Sequence, residues 1–260
     1  MSELSARALD VNEGWAGLAN EVFELAGATF VRNRELPARR DSNHVHSVRA
    51  STPGEIERLF EAADREYAGL PHRAFYCDYR TPPEFSARLA LEGYEHKESL
   101  VMLLEGELLG EARAHEIRAC VSKQDWAAYE SLHEIDWLAS NGGEAVTERW
   151  NPGIGFRSDR IKSPPVRSWL ACVEGRPVAY FSSWEGIDGM GQVENLFTHP
   201  DFRHRGMATA LMHHCVADAR AHGPGPVVIV CDPNDTPKNL YASLGFRPVA
   251  IKRSWWKDVD

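Results

Sequence analysis

Residues 192–211, QVENLFTHPDFRHRGMATAL, gather the side chains whose types and spacing best suit chemistry. A strand-like run leads through Arg203, His204, Arg205 and Gly206 into a helical pattern that opens at Met207, Ala208 and Thr209. The first turn of a helix leaves backbone N–H groups without acceptors and carries the positive end of the helix dipole, so it attracts anions. Gly206 lets the turn backbone approach an anion, Ala208 keeps the helix start uncrowded, and the three basic residues add charge at the same place. Taken alone, the stretch also reads as a basic, glycine-bearing loop that simply starts a helix. One carboxylate, Glu194, lies on the strand leading into it.

Around that centre, apolar spacing sets out the elements that must position it. In the second half, residues 116–121 read as a strand, and Ser122 with Asp125 precedes a helix holding Trp126, Tyr129, Leu132 and Ile135. A loop rich in Gly and Pro over residues 140–165 carries a second short helix near Trp137 or over residues 145–150. Residues 168–174 and 176–184 form a hairpin about Glu174, Gly175 and Arg176. The central helix runs to His222 with Met207, Ala208, Leu211, Cys215 and Ala219 on its buried face. Residues 227–231 are a short, all-apolar central strand, residues 237–244 a helix ended by Gly245, and residues 246–257 close the sheet.

The first half has a similar order. A helix covers residues 3–20 with Leu4, Ala8, Val11 and Trp15 on one face; residues 21–31 pair as strands broken at Gly27; residues 44–49 are a short strand. Ser51 or Thr52 caps a helix with Pro53 in its first turn and Ile56, Leu59, Phe60 and Ala63 as its apolar stripe. A strand over 73–79, a helix ending at Leu91 and stopped by Gly93, and a strand over 94–104 follow. The polar, glycine-bearing residues 105–112 mark the boundary between the halves.

Composition narrows the function classes. Hydrophobic and charged contents of 43% and 26% are those of an ordinary soluble globular chain. No apolar run approaches the roughly 20 residues of a membrane span, and the start MSELSARALD lacks a signal-peptide core. Five cysteines spaced singly, with no C-x-x-C pair, suit reduced buried thiols in a cytoplasm rather than a zinc site. A net charge of −9 argues against nucleic-acid binding and favours cationic substrates.

Two segments together resemble the GNAT superfamily of N-acetyltransferases. Arg203-His204-Arg205-Gly206-Met207-Ala208 is similar to its Gln/Arg-x-x-Gly-x-Gly/Ala pattern, and the preceding Thr198-His199-Pro200 to its strand end. Asn234 and then Asn239-Leu240-Tyr241-Ala242-Ser243-Leu244-Gly245-Phe246 are similar to its Asn…Leu-Tyr-x-x-x-Gly-Phe segment. The resemblance covers residues 113–260. It implies an α/β fold of two GNAT-like domains, each a twisted, mostly antiparallel mixed sheet flanked by helices. Residues 113–260 would be the catalytic domain. Residues 1–110 would be a degenerate companion, since Gly93-Tyr94 stands where Gly-Phe stands in the second half but nothing matches the anion loop.

The same resemblance implies acetyl-CoA, or another short acyl-CoA, as donor, and no metal. Its pyrophosphate would sit on Arg203, His204, Arg205, Gly206, Met207, Ala208 and Thr209, and its pantetheine arm in a slot between diverging strands, against the backbone of Leu196, Phe197 and Thr198. Glu194 matches the position of the glutamate base of many members, with an ion-paired strand residue as the other reading; Tyr241 would protonate the thiolate or else anchor the helix. Asn234 and Asn239 would bind the cofactor or cap their loop. A base matters because an amine of pKa near 10.4 is a free nucleophile in roughly one molecule in a thousand near neutral pH. The expected partner is a small-molecule or peptide amine acceptor, with no nucleic acid or membrane and with a homodimer possible. A non-catalytic acyl-CoA-binding regulatory or interaction protein is the alternative.

Other residues rank lower. His213 and His214 read as packed or solvent-facing, and Cys231 as an inert thiol. His44 and His46 share a strand face but have no carboxylate nearby in sequence, so they are two metal ligands at best. Trp184, Glu185 and the loop at Trp150 are placed to shape an acceptor pocket.

Overall fold

The computed structural model describes residues 2–140 and 152–259; residues 145–150 and Trp150, named above, lie outside these. The chain folds into two compact units. The first comprises residues 1–102, 230–238 and 248–260, the second residues 103–229 and 239–247. The elements are α1 (Glu3–Gly17), β1 (Glu21–Leu25), β2 (Ala28–Arg32), β3 (His44–His46), α2 (Pro53–Glu66), β4 (His72–Cys77), α3 (Pro83–Leu91), β5 (Glu95–Leu104), β6 (Glu116–Ala119), α4 (Lys123–Ser140), α5 (Pro152–Ile161), β7 (Arg167–Val173), β8 (Arg176–Ile187), β9 (Met190–Thr198), α6 (Met207–His222), β10 (Val227–Cys231), α7 (Pro237–Ser243) and β11 (Arg247–Asp258). This is the expected mixed α/β architecture, sheet strands flanked by helices. Among the described residues no helix is long and apolar enough to cross a membrane.

In the first unit the strand order is β1-β2-β3-β4-β11-β5. Helix α2 starts where local chemistry dictates: the Thr52 side chain accepts from the Glu55 N–H, and the Glu55 carboxylate accepts from the Thr52 N–H at 3.0 Å, a reciprocal capping box. Its Ile56, Leu59, Ala62 and Ala63 bury into a core with Phe30, Phe75, Phe85 and Leu89. Strand β3 is shorter than the expected 44–49, because Ser47 adopts φ +50° and the Arg49 N–H turns to the Gly27 carbonyl at 2.9 Å. Residues 246–257 were expected to close the sheet of the second half; β11 instead pairs antiparallel with β4, from Arg253 opposite Cys77 to Asp258 opposite His72.

In the second unit the order is β10-β9-β8-β7-β6, with β9 and β10 parallel and the other neighbours antiparallel. Ser122 and Asp125 cap α4 reciprocally: the Ser122 Oγ accepts from the Asp125 N–H at 3.1 Å and donates to its carboxylate at 2.6 Å. Glu174 (φ +51°) and Gly175 (φ +77°) make the two-residue turn between β7 and β8. Trp137 falls inside α4 rather than in a separate short helix. Helix α6 packs on one face of β8 and β9, burying Met207, Leu211, Cys215 and Ala219, while α4 packs on the other side with Trp126, Tyr129 and Leu132 in the core.

One buried side chain ties three elements of the first unit. The Tyr67 hydroxyl, on the residue that ends α2, reaches the Val31 carbonyl at 2.9 Å and the His44 carbonyl at 2.6 Å. Tyr67→Phe leaves both acceptors short of a donor in a dry place and is expected to cost about 1–3 kcal/mol. Urea unfolding followed by tryptophan fluorescence measures it; an unchanged midpoint would contradict this role.

Candidate functional site

The turn before α6 combines left-handed backbone, exposed basic side chains and an uncapped helix start. Gly206 takes φ +86°, left-handed backbone that disfavours any side chain, and a Cβ there would also meet Arg113 Cδ at 3.4 Å and His115 Nε2 at 3.6 Å. His204 is also left-handed, at φ +60°. His115 Nε2 lies 3.1 Å from the Arg205 carbonyl oxygen and steadies the turn from the side. No side chain caps α6, and its first internal bond runs from the Ala210 N–H to the Gly206 carbonyl at 3.0 Å, so the N–H groups of Met207, Ala208 and Thr209 precede the helical ladder. Arg203, His204 and Arg205 are exposed around this opening. Arg203 Nε donates to the Thr198 carbonyl at 3.1 Å and Arg205 Nη2 to the Asp201 carbonyl at 3.0 Å, which folds both guanidinium stems onto the turn.

Strand β9 delivers the chain to that turn and changes character on the way. Its pairing with β10 consists of Gly191 opposite Val227 and Gln192 opposite Val228. Beyond Gln192 the β9 edge is not registered against β10, the divergence that a slot for an extended ligand requires. A bulge follows: Ser182 opposes Glu194, the next pair is Tyr180 opposite Phe197, and Asn195 takes φ +66°. Leu196 and Thr198 are half-buried and Phe197 is buried. The Thr198 hydroxyl oxygen is buried without a hydrogen-bond partner.

Register also fixes where Glu194 points. Directly opposed residues of an antiparallel pair share a face, so Glu194 lies on the face of Ser182 and Tyr180, the face covered by α4. The Gln192 amide donates to Glu194 Oε1 at 3.0 Å from two residues back on the same face. On this face stands a cluster that sequence reading did not single out. The Tyr180 hydroxyl donates to Asp136 at 2.9 Å, the Tyr129 hydroxyl to Asp159 at 3.3 Å, and His133 Nε2 lies 3.8 Å from Asp159. The Tyr129 and Tyr180 rings are 4.3 Å apart, and Tyr180 is 5.5 Å from Phe197. Burial, then the neighbouring carboxylates, push both phenols well above their ordinary range, so they remain donors. The signal available in sequence was faint: Tyr129, His133 and Asp136 recur at helical spacing on α4.

The remaining expected residues fall as follows. Tyr241, on α7, is buried with its ring 6.2 Å from Phe246, and its carbonyl accepts from the N–H groups of Leu244 and Phe246. Asn239 is exposed in the second unit, and Asn234 is exposed on the segment belonging to the first unit, where its N–H donates to Asp232 at 2.8 Å. Trp184 is buried. Glu185 binds Arg167 at 3.2 Å, and Arg167 also binds Asp218 of α6 at 2.6 Å, so Glu185 serves the packing of α6 on β7 and β8. His214 lies edge-on to Trp169 with its ring centroid 4.2 Å away, a packed residue.

Residues 126–246 match the family model described as the acetyltransferase (GNAT) family. The matched stretch is a GNAT-family acetyltransferase domain, and the class of enzyme such a domain defines is an acyltransferase. No curated protein matches it. Among solved structures, a functionally unknown conserved protein from Staphylococcus epidermidis ATCC 12228 is 15% identical at a TM-score of 0.71, over 94% of this chain and 96% of that one. A GCN5-related N-acetyltransferase from Kribbella flavida is 16% identical at 0.69, over 98% and 96%. A tandem GNAT protein from the clavulanic acid biosynthesis pathway is 12% identical at 0.60, over 83% and 75%. These likenesses show a shared fold.

The thiols supply a test of this packing. Burial raises Cys77 and Cys120 to about 12 and Cys215 well above its ordinary value, whereas Cys231, expected as a buried thiol, is only half-buried. At pH 8 the native protein is expected to react with an aromatic disulfide reagent at Cys231 alone, and at all five cysteines once unfolded. Rapid labelling of two or more native thiols would contradict the arrangement.

Proposed function

We propose that the protein moves an acetyl group from acetyl-CoA to a primary amine of a small molecule by direct transfer, without a covalent enzyme intermediate. The observation that carries this reading is the path of β9: it leaves β10 after Gln192, presents Glu194, bulges at Asn195, and ends at the uncapped, basic start of α6. The pyrophosphate sits on the N–H groups of Met207, Ala208 and Thr209 with Arg203, His204 and Arg205 around it, and the pantetheine arm follows the backbone of Leu196, Phe197 and Thr198. The orphaned Thr198 hydroxyl supports a polar ligand there.

Glu194 takes the proton as the amine attacks the thioester. Its Gln192 hydrogen bond aims one carboxylate oxygen. Asp136 and Asp159, each bonded to a tyrosine, lend the same face negative potential that favours a cationic amine, in keeping with the family's amine acceptors. A backbone N–H near Leu196 or Phe197 stabilises the oxyanion, and Tyr241 returns a proton to the departing thiolate. Asn239 and Asn234 cap or contact the cofactor. Holding thioester and amine together supplies much of the rate. The five thiols, none in a disulfide, fit a reducing, cytoplasmic setting.

Release of free thiol from acetyl-CoA across a panel of amines tests the proposal. Glu194→Gln is expected to lower kcat/KM at neutral pH by about 100-fold or more while acetyl-CoA binding is preserved, and to flatten the rise of rate with pH. Turnover that survives the change would remove Glu194 from the mechanism; tight acetyl-CoA binding with no turnover on any amine would point to a regulatory binding protein. Gly206→Val, strained at φ +86°, is expected to weaken acetyl-CoA binding by about tenfold or more. An unchanged dissociation constant would move the cofactor away from this turn.

A further inference from the structure

The first unit contains a second group of chemically able side chains, remote in function from the acyl-transfer site. Helix α1 carries Glu13 and strand β3 carries His44 and His46; their ligand-competent atoms all lie within 4.8 Å of one another and all three residues are buried. We propose that Glu13, His44 and His46 form a binding site for a divalent transition-metal ion of the zinc class, with two imidazole nitrogens and one carboxylate oxygen as donors and water completing the shell.

The distances distinguish this site from a buried hydrogen-bond network. Glu13 Oε2 lies 3.9 Å from His44 Nε2 and 3.6 Å from His46 Nδ1. Hydrogen bonds would bring these atoms to about 2.7–3.2 Å. A tetrahedral ion with bonds of about 2.0–2.2 Å holds its ligand atoms roughly 3.3–3.5 Å apart, close to the separations found. The partners are also missing where a network would supply them: Glu13 Oε2 and both ring nitrogens of His44 are buried with no hydrogen bond. His44 has no exposed surface at all, its ring being stacked on Tyr76 at a centroid distance of 4.0 Å. An orphaned carboxylate oxygen and an orphaned imidazole facing each other in a dry pocket are costly unless something between them accepts their lone pairs.

A route to the site exists beside His46: its Nδ1 contacts the Ser47 hydroxyl at 2.9 Å, and Ser47 is exposed, so that hydroxyl can swing to water as an ion binds. One group opposes the ion. Lys252, bonded to Asn12 and 5.0 Å above the Tyr76 ring, shares the field of Glu13, and its ammonium repels a dication. Metal affinity is therefore set against Lys252, and removing that charge must strengthen binding if the site is real.

The test is a zinc titration of the full chain, stripped with chelator and dialysed, in competition with a chromophoric chelator. Cobalt(II) binding is followed separately through its visible absorption, and X-ray absorption identifies the donors. One ion per chain is expected, held by two imidazole nitrogens and an oxygen. Glu13→Gln and His46→Gln are each expected to weaken binding by at least about tenfold, and Lys252→Met to tighten it. Circular dichroism shows whether each variant folds, and the wild-type titration decides independently of them. No stoichiometric ion in either the wild type or Lys252→Met overturns the proposal. So does binding that is indifferent to Glu13 and His46, which would place the ion on other histidines.

Discussion

The register of β8 against β9 is the constraint on which the second unit depends. It sets Val193 opposite Ser183 and Glu194 opposite Ser182, so neighbouring residues of β9 serve opposite faces. On one face Ser183 donates to Asp218 of α6, and Arg167 joins the same carboxylate; this fastens the helix whose uncapped N-terminus follows the basic turn. On the other face Glu194 stands with Gln192, Ser182 and Tyr180 beneath α4. A slip of one residue would exchange the two faces and put the carboxylate under α6. The bulge at Asn195 and Leu196 absorbs the extra residue without disturbing the Glu194 register, and it places the altered backbone where the acyl group is proposed to lie.

The two units use buried polarity differently. In the second, the buried phenols of Tyr129 and Tyr180 are each satisfied by a carboxylate, and that pairing holds Asp136 and Asp159 on the face that carries Glu194. In the first, Tyr67 satisfies two carbonyls, yet a few residues away His44 and Glu13 keep atoms without partners. The buried, incompletely bonded groups of the first unit call for an account of their own.

What could be read from the sequence follows the range of the interactions involved. Helix starts at Thr52–Glu55 and Ser122–Asp125, the hairpin turn at Glu174 and Gly175, and the turn at Gly206 are all decided within a few residues, and the string of side chains discloses them. The pairing of β11 with β4 joins residues 247–258 to residues 72–77, and an apolar strand carries no label for a partner so distant. His44 and His46 show a shared strand face, but the carboxylate that meets them comes from α1, some thirty positions earlier, in a helix whose apolar spacing conceals that Glu13 points inward. Asp136 and Asp159 were hidden for a similar reason: Asp159 falls in a stretch that reads as a loop, and neither acid shows its partner until α4 and α5 bring them to the two tyrosines. Glu185 looked like a pocket residue because it follows Trp184 at a strand end, and only the position of Arg167 shows it to be a packing contact.

The central claim, that acyl-CoA lies along the β9 edge and on the start of α6, is tested most directly by amide hydrogen exchange with and without acetyl-CoA. The expected result is slowed exchange confined to the amides of residues 196–198 and 206–209, with β1 to β3 of the first unit unaffected. Protection absent from these amides, or appearing instead around residues 28–46, would contradict the account.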